Sequence, residues 1–405
     1  MAAVKYNSND YVTRVLESPL QLDAAQWNAL LARHEAPSPF MRHEYLAAMD
    51  RSGSAAPATG WTPRFVTLWR GEELEAACAL YLKDHSYGEY VFDWAWANAY
   101  EQHGLAYYPK ALIAAPFTPV PGARLLARDA LSRQALLKAV LAWCGRKKLS
   151  SLHLLFADGA DAAACAAAGL MLRHTVQFHW TNTVRRPDGE VGRWQDFDGF
   201  LGSLAHDKRK KIRQERRKVA DAGVVFRWSE GRDIRAADWD FFYRCYQRTY
   251  YEHGNAPYLT RDFFRRMASD MPDNWLLFVA ERNRKPIAVS LIALGSQPLP
   301  DRREDEKVAY GRYWGALERV DCLHFEACYY QPLQWCIEHG YDRFEGGAQG
   351  EHKMARALMP VKTTSAHWLA HPAFADAIER FLEREDQGIG NYLEHLERRS
   401  PFRQT

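Results

Sequence analysis

The chain contains no run of about 18 apolar residues, so nothing in it reads as a membrane-spanning helix. Cysteine is sparse and scattered. The seven residues Cys78, Cys144, Cys165, Cys245, Cys322, Cys328 and Cys336 are odd in number and include no C-x-x-C pair. That argues against a disulfide framework and against a zinc cluster, so no metal site is expected and the thiols read as small buried hydrophobes. An excess of one charge is also missing: Lys+Arg 53 against Asp+Glu 50 leaves a formal net charge of +3, which is no global nucleic-acid signature. Residues 1–10 lack a basic flank followed by an apolar core, so no leader is read there and the cytoplasm is the expected compartment. Length and aromatic content are what the chain has. Its 405 residues are enough for two or three domains at roughly 150 residues each, and 13% aromatics supply ample core material.

One order of elements is expected twice. In the first half the patterning predicts a strand over Tyr11–Glu17 and helices over Asp23–Arg33 and Met41–Met49. Strands follow over Arg64–Trp69, Glu75–Leu82 and Ala111–Ala115, then a helix over Ala130–Gly145, a strand over Ser151–Phe156, a helix over Ala162–Ala168 and a strand over Thr175–Thr181. In the second half a strand over Val224–Trp228 precedes helices over Ala237–Tyr250 and Thr260–Met271, the latter opened by Thr260 as N-cap. A hairpin follows, Trp275–Arg282 and Ile287–Gly295 around Asn283-Arg284-Lys285-Pro286, then a strand over Val308–Leu317 broken at Gly311 and Gly315. A helix over Glu326–Gly340, a strand over Tyr341–Phe344, a helix over His352–Leu358 and a strand over Ser365–Ala370 complete the half, and a charged helix begins at Ala373. The expected domains are 1–184, 185–371 and a helical extension 372–405.

Four stretches concentrate chemistry. Residues 344–360 set Gly346, Gly347 and Gly350 among Glu345, Gln349, Glu351, His352, Lys353 and Arg356, at a strand-to-helix junction of the kind where α/β proteins build sites. His352 and Glu351 are base candidates there, and Lys353 and Arg356 are suited to neutralising a carboxylate or phosphate. Lys83–Trp96, read as a strand, puts Tyr87, Glu89, Val91 and Asp93 on one side, near His85 and Trp94. Two carboxylates and a phenol could bind an amine or share a proton, which makes Glu89 and Asp93 catalytic candidates, with Tyr107, Tyr108 and Lys110 completing the wall. Lys208–Lys218 holds eight basic residues and one acid, Glu215. At helical spacing Leu201, Leu204, Ile212 and Val219 share a stripe on which Lys208 and Glu215 can pair, while the other cations face outward, where Lys208, Arg209 and Arg213 are phosphate-binding candidates. His324, Glu326 and Tyr330 open a helix as candidates for positioning substrate, though a buried His among aromatics is the plainer reading.

The order strand, two helices, three strands, helix, strand, helix, strand resembles the GNAT acyltransferase order, here in tandem. The chain resembles most specifically the FemAB-like family of bacterial predicted N-acyltransferases, related to the Fem-type peptidoglycan branching transferases. The residues that carry it are Ser38-Pro39-Phe40, Tyr81 to Trp96, Tyr107-Tyr108-Pro109-Lys110, Pro116 to Val120, Val176-Gln177-Phe178-His179-Trp180, His324 to Gln331 and Gly347 to Lys353. The resemblance implies two GNAT-like α/β domains with mixed sheets. It implies an N-acyltransferase that moves an acyl group from a thioester or ester to an amine, with acyl-CoA the favoured co-substrate and no tightly bound cofactor. Aminoacyl-tRNA, the Fem-type donor, is the alternative. It adds Gln177 and His179 to the substrate-binding candidates. It also implies a pyrophosphate cradle at the junction holding Gly122 and Arg124, and an oxyanion-stabilising bulge within Gly311–Gly315. A non-catalytic binding module, or a binder of RNA or an anionic surface through Lys208–Lys218, are the readings from other classes.

Overall fold

The computed structural model describes residues 11–185, 189–298, 305–348 and 350–403. They form two compact units: residues 11–175 with 363–390, and 176–362 with 391–403. Residues 363–390 thus count with the first unit, where the sequence pattern had split them between the second domain and a separate extension. Among the described residues no helix is long and apolar enough to cross a membrane.

The fold is mixed α/β, with the same strand logic in each unit. In the first, strands Val12–Leu16, Trp61–Arg70, Glu73–Lys83 and Lys110–Ile113 pair antiparallel in that order. Lys110–Ile113 then runs parallel to Ser151–Ala157, which pairs antiparallel with the segment 364–369. In the second unit Val224–Glu230, Trp275–Arg282, Lys285–Gln297 and Glu306–Ala316 pair antiparallel in order. Glu306–Ala316 then runs parallel to Arg343–Ala348, whose other edge meets residues 177–181. One parallel step after an antiparallel meander forces a helical crossover, supplied by Ala130–Arg146 in the first unit and by the turns up to Glu338 in the second.

Local chemistry sets the helix ends. Asp129 accepts from the Ser132 amide at 2.8 Å and starts Ala130–Arg146, and Thr260 accepts from the Phe263 amide at 3.2 Å as its sequence predicts. Asn283 and Arg284 turn the hairpin with φ of 53° and 62°. Leu136, Leu137 and Val140 of the first crossover helix bury against Val66, Leu80 and Ile113. Each such side chain contributes roughly 1.5–3 kcal/mol on leaving water. Leu333, Trp335 and Ile337 do the same in the second unit against Phe178, Phe278, Ile292 and Phe344. Most cysteines are buried, and Cys322 and Cys328 are half-buried.

Three expectations differ in ways that matter for the sites. The strand through Lys83 stops there, because Gly88 and Tyr90 take left-handed backbone (φ 81° and 63°), and a helix starts at Trp94. The strand at 341–344 instead spans Arg343–Ala348 and runs through Gly346 and Gly347. The segment after it is a 3-10 turn, Glu351–Arg356, closed by Ala357 at φ 60°, and not an α-helix.

Candidate active site

In the second unit the strand Glu306–Ala316 carries a bulge. Its register with the neighbouring strand steps from Leu291–Tyr313 to Ile292–Gly311, passing over Arg312. On its other edge, parallel pairing covers only Val308–Arg343, Ala309–Phe344 and Tyr310–Glu345. Beyond those three pairs the strands part around a cavity of about 140 Å³, lined by Gly311 to Trp314, Ser290, Phe344, Gly346, His324, Cys328 and Tyr329. The last two come from a π-turn, Glu326–Tyr330, a distortion often found at functional positions. His324 packs edge-on against Trp314 and Tyr329, and burial pushes its imidazole down to about 4, so it is neutral near pH 7.

The glycine-rich turn closes one side. A Cβ on Gly346 would lie 2.4 Å from Leu358 Cδ2 and 3.0 Å from the Phe178 carbonyl, so this position has no room for a side chain. Lys353 is buried and donates to the Gly346 carbonyl at 2.6 Å and the Gly347 carbonyl at 3.1 Å, which clamps the turn. Burial pushes its amine down to about 8. His352 is exposed on the outer side of the turn, and the Tyr329 hydroxyl lies 3.4 Å from its Nε2. His352 also lines a second cavity, of about 620 Å³, with Lys208, Asp207, Glu351, Met354, Arg399 and Ser400.

Several candidates are held for structural work instead. Glu351 accepts from Tyr392 Oη at 2.9 Å and Arg399 at 3.2 Å, which leaves it poorly placed as a base. Arg356 is buried, donates to both Glu215 oxygens at 3.1 and 2.9 Å and to the His352 carbonyl at 2.7 Å, and stacks 3.6 Å from the Phe325 ring centre. Glu215 also accepts from Tyr330, so the pairing expected between Glu215 and Lys208 does not form; Lys208 pairs with Asp207. Tyr330 is thereby a core residue. Glu326 is buried and accepts from Arg216 at 3.1 Å. Glu345, Gln177 and His179 gather on neighbouring strands. The His179 ring lies 3.3 Å from Gln177 Oε1 and 3.9 Å from Glu345, and burial raises the Glu345 carboxyl to about 7 while lowering His179 to about 3. Gln349 lies outside the described residues.

The first unit holds a different constellation. Tyr87, Glu89, Val91 and Asp93 do not share a side: Tyr87 is exposed, with its ring 5.0 Å from Trp94, whereas Glu89 and Asp93 turn inward. Lys110 donates to Glu89 and Ser86 at 2.8 Å each and also bonds Asp93. Burial lifts Glu89 to about 7, whereas Lys110 overcomes the same burial at Asp93 and holds that carboxyl well below its usual range. Tyr107 donates to Asp93 at 2.6 Å and lies 3.1 Å from His153, which meets His367 through Nδ1–Nδ1 at 2.7 Å. Tyr108 lies 2.8 Å from Ser86 Oγ. Lys83, beside His85 at 3.1 Å and over the Trp61 ring at 4.1 Å, is pushed down to about 7 by burial. Among the described residues Glu89 Oε1 and Asp93 Oδ1 find no hydrogen-bond partner. The group can hold a cation or take up a proton. His153 and His367 carry no sequence signal that separates them from core residues, whereas Lys83 and Tyr329 fall within stretches that carry the family resemblance without being singled out there.

The proposed pyrophosphate cradle is absent at Gly122 and Arg124. Arg124 is fully buried and spends its guanidinium on the carbonyls of Leu155, Ala123 and Val120, at 2.9, 3.1 and 2.5 Å. The Gly122 amide bonds the Phe156 carbonyl at 3.0 Å. On the basic helix His206–Asp221, by contrast, Lys210, Lys211, Arg213 and Arg217 are exposed; Arg213 lies 3.8 Å from Asp198, and the neighbouring Arg209 lies 3.4 Å from the Gly202 carbonyl.

Comparison with known proteins bears on the family and the fold. The model of the FemAB-like family, described as peptidoglycan biosynthesis/recognition, matches residues 18–404. Similar solved structures include the C-terminal domain of a protein assigned as lysylphosphatidylglycerol synthetase from Agrobacterium fabrum (TM-score 0.52, 11% identity, 89% of this chain and 96% of that one). FemX is similar at TM-score 0.51 and 11% identity, over 90% of this chain and 100% of that one. L-PGS from Bacillus licheniformis is similar at TM-score 0.50 and 11% identity, over 90% and 98%. At these identities the likeness is one of fold. No curated protein matches the chain.

Proposed function

Because the chain belongs to the FemAB-like family, we propose that it transfers an aminoacyl or acyl group from an ester or thioester to an amine, with the reacting carbonyl seated in the cavity of the second unit. The observation that carries this reading is the bulged strand Gly311–Trp314 at the cavity wall, where the parallel partner diverges. A bulge releases backbone groups from the regular ladder, and such groups aimed at a developing oxyanion lower the barrier to acyl transfer. The amine attacks the carbonyl carbon, the C–N bond forms, and the alcohol or thiol departs.

Of the two donor classes, aminoacyl-tRNA fits better than acyl-CoA. Glu318 and Asp321, at the helix-start junction of the second unit, take up Arg282 and Lys218, so carboxylates and engaged cations stand where CoA phosphates would need free donors. The exposed cations of His206–Asp221 suit a polyanion. The family description points to a cell-wall precursor amine as acceptor.

The test incubates the protein with a peptidoglycan-precursor amine and either alanyl-tRNA or acetyl-CoA, and reads new amide by mass spectrometry. Amide formed from alanyl-tRNA is the expected result. Amide from acetyl-CoA, with thermal stabilisation by CoA, would reverse the donor choice. No amide from either donor would reject the transferase reading.

A further inference from the structure

We infer that Tyr329 and His352 form a proton exit for the transfer reaction, the Tyr329 hydroxyl passing the attacking amine's proton from the inner cavity to His352 Nε2 at the outer one. The inference deepens the acyl-transfer reading and rests on it. Its geometric basis is that the two cavities share this pair: Tyr329 lines the 140 Å³ cavity, His352 lines the 620 Å³ one, and their polar atoms are 3.4 Å apart. Catalytic hydrogen bonds are often this long in ligand-free sites and shorten only in the substrate complex, so the separation does not exclude the relay.

The other groups in the inner cavity are poor acceptors of that proton. The His324 imidazole is pushed down to about 4, and the Cys328 thiol is driven up to about 12, both by burial, so one is too weakly basic and the other is not ionised. Burial also lifts the Tyr329 phenol far above pH 7, so Tyr329 stays protonated and acts by relay, without ionising. His352 faces Tyr329 from the π-turn, Lys353 and Arg356 from its own turn, Glu351 tied to Tyr392 and Arg399, and Lys208 with Asp207 across the outer cavity. Its imidazole lies below its ordinary value through partial burial and the Arg356 and Lys353 charges, so it is neutral at pH 7 and can accept.

The step balances. The amine nitrogen bonds the carbonyl carbon and gives its proton to the Tyr329 oxygen, as the phenolic proton moves to His352 Nε2. The bond to the leaving oxygen or sulfur then breaks, and the leaving group takes a proton from water. His352 returns its proton to solvent through the outer cavity.

The experiment measures kcat and KM against pH for the wild type, Tyr329→Phe and His352→Gln, with thermal midpoints as a folding control. Nitrogen NMR of the His352 ring provides a readout that needs no turnover. The wild type should lose activity below the His352 pKa, under 6.5, and both variants should lose that acidic limb with kcat reduced on the order of a hundredfold and KM little changed. Tyr329→Phe should also alter the His352 tautomer balance, because the hydroxyl bonded to Nε2 favours the proton on Nδ1. Wild-type turnover with the acidic limb retained in both folded variants overturns the relay and leaves the transfer reading standing. An unchanged His352 NMR titration in Tyr329→Phe likewise overturns it. Absence of turnover by the wild type with either donor sinks the transfer reading and the relay with it.

Discussion

Removing the Glu215 carboxylate is the sharpest test of how the basic helix is fixed to the glycine-rich turn of the candidate site. The Arg356 side chain is 2% exposed and that of Glu215 9%, and two nitrogen–oxygen contacts of 2.9 and 3.1 Å join them. Glu215→Ala leaves the guanidinium buried among the His352 carbonyl and the Phe325, Tyr329 and Tyr330 rings, with no carboxylate to offset its charge, and deprives the Tyr330 hydroxyl of its acceptor. Breaking a buried pair from one side costs about 3–5 kcal/mol, because the surviving charge stays desolvated. With a urea m value of about 2 kcal/mol per M, the midpoint of the transition involving this unit falls by about 1.5–2.5 M. The triple change Glu215→Leu, Arg356→Met, Tyr330→Phe removes both charges and the hydroxyl together, and should recover most of the loss. Urea unfolding followed by tryptophan fluorescence measures both, since Trp335 sits in the same core. A single-variant shift below about 0.5 M, or a triple variant no more stable than the single, would refute the claim that burial of the charge sets the energetics.

Three further outcomes follow from the same kind of reasoning. Glu89 holds its proton up to about 7 in the folded chain against an ordinary 4.5, so its contribution to stability is full below 4.5 and lost as pH rises to 7, on the order of 3 kcal/mol. Glu89→Gln should lessen the dependence of the unfolding midpoint over that window by this share, with Glu345, also raised to about 7, keeping its own; Asp93, shifted the other way, acts only below its ordinary 3.8. A Cβ on Gly315 would lie 2.4 Å from the Cys245 carbonyl oxygen, a backbone atom that cannot swing aside, so Gly315→Ala should destabilise by about 1–3 kcal/mol in the same unfolding assay. Reversing Lys210, Lys211 and Arg217 to Glu should abolish tRNA binding and its salt dependence in a filter assay while leaving the thermal midpoint within a few degrees, since these side chains are exposed.

The order of elements was legible because it depends on local signals. Thr260 caps its helix, Asn283-Arg284 turns its hairpin, and the apolar period of Ala130–Gly145 matches the helix found. Helical phase also correctly turned Glu215 inward with Ile212 and Val219, but its partner Arg356 lies 141 residues away and no local rule reaches it. The same holds for His153 and His367, which face each other from paired strands but are separated by 214 positions. The loop at 84–93 was misread for another reason: its alternation fits a strand, and a left-handed Tyr90 has no signature in composition.

Tyr329 shows how a single backbone distortion hides a site residue. With about 100° per residue in a regular α-helix, a side chain five positions after His324 lies about 140° around the axis from it, so Tyr329 would face away from whatever His324 faces. The π-turn Glu326–Tyr330 closes its hydrogen bonds over five residues, which brings positions i and i+5 onto one face. The rings of His324 and Tyr329 accordingly stand 5.8 Å apart, both lining the cavity, and Tyr330 rotates inward to Glu215. Tyr330, six positions on, would lie about 120° from His324, so sequence period alone sets neither tyrosine of the pair beside it. Deletion of Ala327 sets Tyr329 four positions after His324, about 40° around a regular α-helix, so the shortened turn should keep Tyr329 beside His324 and its contact to His352, which nitrogen NMR of the His352 ring checks.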